Sequence, residues 1–99
     1  MAQPIYKLYM FRNTEAWYQL SQDKQNELLG KVNAALEKAG GKRFISCNSS
    51  WSSEQWPVYG VEQFPNIEAV QQHEKALTDL NLSRYVVSKS MLGTELTPS

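Results

Sequence analysis

The chain has 99 residues, 41% of them hydrophobic and 20% charged, and its ten basic side chains balance ten acidic ones. This length predicts one domain over residues 1–99, the composition excludes disorder, and cations scattered without a stripe or patch argue against a nucleic-acid partner. A single cysteine, Cys47, and a single histidine, His73, exclude an intrachain disulfide and a Cys/His metal motif.

Apolar runs are too short for a membrane span, so no membrane partner is expected. The N-terminal residues lack the charged-then-apolar pattern of a signal peptide, and a cytoplasmic location is expected.

Pro4 precedes a run of aromatic and aliphatic residues that predicts a first strand over residues 5–12, with proline at its tolerated edge. Ile5, Tyr9 and Phe11 alternate with Tyr6, Leu8 and Met10, so this strand is expected to be covered on both faces. Asn13 and Thr14 break it, and residues 15–20 read as a short turn carrying Trp17. Ser21 is an N-cap followed by Asp23 in the first turn. Leu28, Leu29, Val32, Ala35, Leu36 and Ala39 recur at helical spacing, which gives a helix over residues 21–39 closed by Gly40-Gly41.

Phe44, Ile45 and Cys47 mark a second strand over residues 42–48. A serine-rich loop carrying Trp51 leads to a third strand over residues 56–64, and the two strands are expected to pair as a long hairpin. Pro65 stops the third strand and Asn66 caps a second helix, whose buried side is Ile67, Ala69, Val70, His73, Ala76, Leu77 and Leu80. After a turn at residues 81–83, residues 85–92 form the last strand, and a polar tail follows.

The order β-α-β-β-α-β predicts a ferredoxin-like α+β fold: a four-stranded antiparallel sheet with both helices on one face. Large side chains at both strand parities then leave the second face apolar, a patch of the kind that marks an interface. The expected partner is a second copy, making a homodimer whose two sheets close into an α/β barrel.

The stretch Tyr59 to His73 resembles the third strand and second helix of dimeric α/β-barrel proteins, among them antibiotic-biosynthesis-monooxygenase-like proteins. The likeness rests on the triplet Glu62-Gln63-Phe64, the turn at Pro65-Asn66, the helix start Glu68-Ala69-Val70 and His73. It implies the same dimeric fold over about residues 4–95. It also implies a cofactor-free monooxygenase or isomerase acting on a small apolar or aromatic, polyketide-like molecule. The other reading is a non-catalytic small-ligand-binding or stress-associated dimer. Haem-degrading members of the superfamily imply an alternative role for His73 as an axial haem ligand, although no cofactor is expected.

His73, in the middle of the second helix's apolar stripe, is expected to face the sheet. It is a candidate general acid or base, or else a core histidine hydrogen-bonded to Glu62 or a tyrosine. Glu62 lies in a buried strand and either moves a proton or pairs with Lys89, Arg12 or Lys7. Tyr6, Tyr9, Tyr59, Tyr85 and Trp56 are candidates for stacking on an aromatic ligand, with core packing the alternative. Arg12, ending the first strand, could hold an anionic group. Trp51 reads as a lid or a reach to the partner, and Cys47 as a small buried hydrophobe. The serines form no nucleophile elbow, and there is no glycine-rich phosphate loop.

Overall fold

The computed structural model describes residues 3–96. Strand β1 (Ile5–Asn13) is followed by a short helix α1 (Glu15–Tyr18) and the long helix α2 (Gln22–Lys38). Strands β2 (Lys42–Asn48) and β3 (Val58–Phe64), helix α3 (Ile67–Asp79), a 3-10 turn at Leu82–Arg84 and strand β4 (Val86–Gly93) complete the order. The sheet runs β2-β3-β1-β4 and every pairing is antiparallel. This is the ferredoxin-like α+β arrangement.

Local chemistry accounts for the helix ends. The Ser21 hydroxyl accepts the Lys24 N–H at 3.2 Å, and the Asn66 side chain accepts the Ala69 N–H at 2.9 Å, each satisfying a donor the helix cannot. Helix α2 closes with Gly40 at φ 83, where the Gly41 N–H reaches the Leu36 carbonyl and the Gly40 N–H reaches Glu37. That pair of bonds is a Schellman closure, and only glycine takes the left-handed φ at little cost. In the β2–β3 loop the serines satisfy backbone. Ser49 Oγ donates to the Trp56 carbonyl, Ser52 Oγ to the Ser49 carbonyl, and Ser53 Oγ accepts the Trp56 N–H.

The compact apolar core is small. Leu36, Phe64, Ala69 and Val70 pack together with Ile5 against them, all at one end of the helix layer. Toward the other end α2 stands away from the sheet. The accessible surface is 7150 Å², against roughly 5,700 Å² for a compact monomer of this mass.

The register assigns each side chain to a face. Ile5, Lys7, Tyr9 and Phe11 of β1 share the helix-covered face with Val58, Gly60, Glu62 and Phe64 of β3. Tyr6, Leu8 and Met10 share the open face with Gln63, Val61 and Tyr59, and with Gly93, Met91 and Lys89 of β4. A bulge in β2 between Arg43 and Ile45 keeps Arg43 opposite Glu62 while Ile45 pairs with Val61. Phe44, in the bulge, packs its ring 5.9 Å from that of Tyr6, so two consecutive side chains lie on the open face.

Candidate functional site

A cavity of about 460 Å³ lies between the helix layer and the sheet. It runs along β1 from Lys7 to Asn13, a span of about 20 Å at the rise of a strand. Leu28, Leu29 and Val32 of α2 form its roof, and Phe11, Trp17, Leu77 and Leu82 its apolar end. The floor is hydroxylic: Tyr9, Ser46, Ser88 and Ser90. The Tyr9 ring lies across Gly60 and its hydroxyl meets Ser46 Oγ at 3.1 Å. Glycine is required there, because a Cβ on residue 60 would stand 2.6 Å from the Ile45 carbonyl oxygen and collide with the tyrosine.

The other end of the cavity is charged. Lys7, Glu62 and His73 are all buried, which is rare for such groups without partners. Lys7 Nζ sits 2.6 Å from Glu74, and Arg43 reaches Glu62 at 3.2 Å and Asn33 at 2.9 Å. His73 packs against Phe64 at 5.2 Å between ring centroids. Its Nδ1 is sealed and has no hydrogen-bond partner among the described residues. Nε2 is therefore the ring nitrogen available to a ligand. Burial, and then the nearby Lys7 ammonium, hold the imidazole below its ordinary pKa, with Glu62 and Glu74 opposing in part. His73 is accordingly neutral at pH 7, a state in which one ring nitrogen can accept a proton.

The structure brings three of the sequence-derived candidates together: His73, Glu62 and Tyr9 all line this cavity. It sets the others elsewhere. Tyr6 and Tyr59 are on the open face, where Tyr6 accepts a hydrogen bond from Gln63 at 3.2 Å. The Cys47 thiol, its cross-strand neighbour, pushes the Tyr59 hydroxyl up. Arg12 lies 5.4 Å over the Trp56 ring, a cation–π pair. Tyr85 lines a separate notch with Leu20, Lys24 and Leu80. Trp51 is 84% exposed, and Cys47 is half-buried on the open face. Glu62 pairs with Arg43 rather than with Lys89, Arg12 or Lys7.

Lys7, Arg43, Asn33 and Trp17 also line the cavity and were not among the candidates. Lys7 carried a readable signal, since it shares the parity of Tyr9 and Phe11 and must be buried with them. Among the described residues no group of three His, Cys, Asp or Glu is placed to hold a metal, and no helix is long and apolar enough to cross a membrane.

No protein-family model and no curated protein matches this chain in sequence. Its fold does recur in solved structures. The chlorite dismutase of Candidatus Nitrospira defluvii in complex with imidazole superposes with a TM-score of 0.78 at 15% identity, over 99% of this chain and 42% of that one. A doubly substituted form of the same enzyme gives 0.76 at 17%, over 100% and 43%. A protein provisionally named chlorite dismutase, TA0507, gives 0.75 at 16%, over 98% and 47%. The chain thus spans less than half the length of these neighbours, and at such identity the likeness shows the fold alone.

Proposed function

We propose that the protein binds a small, largely apolar molecule in the cavity between helices and sheet, and that His73 acts on it as a base in a cofactor-free isomerase or monooxygenase. The observation that carries this reading is a buried, neutral imidazole in the wall of a 460 Å³ cavity that also holds Glu62 and Tyr9. A base works at neutral pH only if its free pKa lies near or below that pH, and His73 meets this condition. Nε2 takes the proton from an acidified C–H or O–H of the ligand. Returning the proton to another carbon is an isomerisation. If dioxygen instead attacks the carbanion at a CH₂ centre, one oxygen atom ends in a new C=O and the other in water, and the substrate supplies all the electrons. The pattern Glu62-Gln63-Phe64 to His73 supports placing the chain near the antibiotic-biosynthesis-monooxygenase-like proteins.

The working unit in this proposal is a homodimer of the single domain 1–99 in the cytoplasm. Its interface is the open face, where Phe44, Ile45, Tyr59, Val87 and Met91 are each at least 40% exposed.

The haem-ligand role fits these residues poorly. An axial histidine needs an apolar slot and a partner for its second ring nitrogen. Here Lys7, Arg43, Glu62 and Glu74 surround the imidazole, and Nδ1 has no partner among the described residues. Chlorite chemistry, the activity named for the structural neighbours, has no support in this chain beyond the shared fold.

The test is oxygen uptake and product analysis with anthrone, a polyketide-like aromatic with an acidic CH₂, in wild type and His73→Ala. Uptake and anthraquinone formation lost in the variant support the base role. Binding seen by tryptophan quenching with no turnover in either protein favours the non-catalytic binding reading. A haemin titration giving a Soret shift that depends on His73 would overturn the cofactor-free assignment.

A further inference from the structure

The two cations at the charged end of the cavity differ in how firmly they are held. Arg43 is bound to Glu62, whose side chain is 5% exposed, and to Asn33. Glu62 cannot leave without losing its only ion pair among the described residues. Lys7 is the reverse case. Its side chain is 9% exposed, yet its one carboxylate partner, Glu74, is 55% exposed on the outer edge of α3. An ammonium has three donors, and two of those on Lys7 take no acceptor among the described residues. Glu74 can swing into water at little cost, because a half-exposed carboxylate is nearly as well solvated without its partner. The cost of that swing falls on Lys7, since a buried ammonium without a counter-charge is strongly penalised, so Glu74 leaves only when another anion takes its place.

We infer that Lys7 is the anion hook of the cavity: a ligand carboxylate displaces Glu74, takes the free donors of Lys7, and lays an apolar ring toward Phe11 and Trp17. With Glu74 swung out, Lys7 and Arg43 face only Glu62 across a neutral His73, so the charged end gains one positive charge for the ligand to neutralise. The remaining neighbours, Tyr9 from β1 and Ser90 from β4, are uncharged donors and acceptors that complete the carboxylate's hydrogen bonds. The ligand class is thus an aromatic carboxylate, with its anion at Lys7 and its ring on the Phe11 and Trp17 side. This deepens the proposed function and rests on its cavity.

The experiment compares 2-naphthoate with its neutral analogue 2-naphthamide, by tryptophan quenching and by amide chemical shifts, in three proteins. In wild type, naphthoate should bind more tightly than naphthamide, by about tenfold for one charge-assisted pair. Glu74→Gln removes the carboxylate that the ligand must displace, so it should tighten naphthoate several-fold and leave naphthamide unchanged. Because it also takes the counter-charge from Lys7, urea unfolding of the variant checks that it is folded before binding is read. Lys7→Met keeps the length of the side chain and should abolish the preference. Equal binding of both probes, unmoved by Glu74→Gln, overturns the hook while the cavity stands. If neither probe shifts the amides of cavity residues, the cavity reading falls and the hook with it.

Discussion

Beyond the core at Ile5 and Phe64, the two faces of the sheet differ from those of an ordinary two-layer domain. The face covered by helices carries buried charge and hydroxyls: Lys7, Glu62, Tyr9, Ser46, Ser88 and Ser90. The face open to water carries Leu8, Met10, Phe44, Ile45, Val61 and Met91. Burial of polar groups costs free energy unless they are paired, and exposure of apolar ones costs it too. The proposed ligand would answer the polar interior, and the proposed second copy the apolar exterior.

The largest expected effect is on the open face. Val61 sits at its centre, between Leu8 of β1 and Ile45 of β2. In the proposed homodimer, Val61→Lys places two unpaired ammonium groups against each other across the two-fold axis. Burying an unpaired charge costs about 3 kcal/mol or more, which weakens dimerisation at least about a hundredfold. Light scattering at micromolar protein should read twice 11.3 kDa for wild type and 11.3 kDa for the variant. A wild-type mass of one chain removes the interface.

On the covered face, Glu62→Ala strips the buried partner from Arg43, and urea unfolding should show a loss of about 2–3 kcal/mol. The surface pair of Glu27 with Lys31, 3.2 Å apart and half-exposed on both sides, is the control. Glu27→Gln should leave the unfolding midpoint where it is. If the two substitutions behave alike, the charged end of the cavity contributes nothing to the fold.

Gly60→Ala comes next, at about 1–3 kcal/mol. The new Cβ meets the Ile45 carbonyl, which cannot move without bending β2, and the Tyr9 ring, which can. Tyr9→Phe in the same background removes the hydroxyl contact and not the backbone one, so it should recover only part of the loss. Full recovery would mean that the Ile45 carbonyl is not the obstacle.

The elements were legible because their signals are local. Ser21, Asn66 and Gly40-Gly41 end helices through bonds to residues within a turn, and the expected helix over 21–39 is α2 with both its caps. The third strand begins at Val58, two residues later than expected, because Trp56 and Pro57 are tied to Ser49 and Ser53 in the loop. The site was harder to read. Alternation in β1 is apolar at both parities, so it does not reveal which face the helices cover, and aromatic type alone scattered the candidates over both. The burial of His73 was legible from the helical stripe, and that of Glu62 from its place in a covered strand. The pairing of Glu62 with Arg43 was not, since it depends on the bulge that sets Arg43 opposite it. The Lys7–Glu74 bond joins residues 67 apart in sequence.

The smallest effect has the opposite sign and bears most directly on whether His73 serves function or fold. A buried nitrogen without a partner costs about 1–3 kcal/mol. His73→Phe removes that nitrogen and keeps a ring against Phe64, so it should stabilise the protein by about 1 kcal/mol. The pH dependence gives a second reading of the same group. Burial depresses the folded-state pKa below 6.5 while the unfolded chain keeps the ordinary value. The unfolded state thus binds more protons as pH falls from 6.5 through the depressed value. The stability that neutral His73 retains above 6.5 is lost over that window. His73→Phe should flatten this slope between wild type and variant. A variant that is less stable than wild type, with the slope unchanged, would make His73 an ordinary core residue. A more stable variant that no longer turns over substrate would show that the fold keeps an unfavourable imidazole because the cavity uses it.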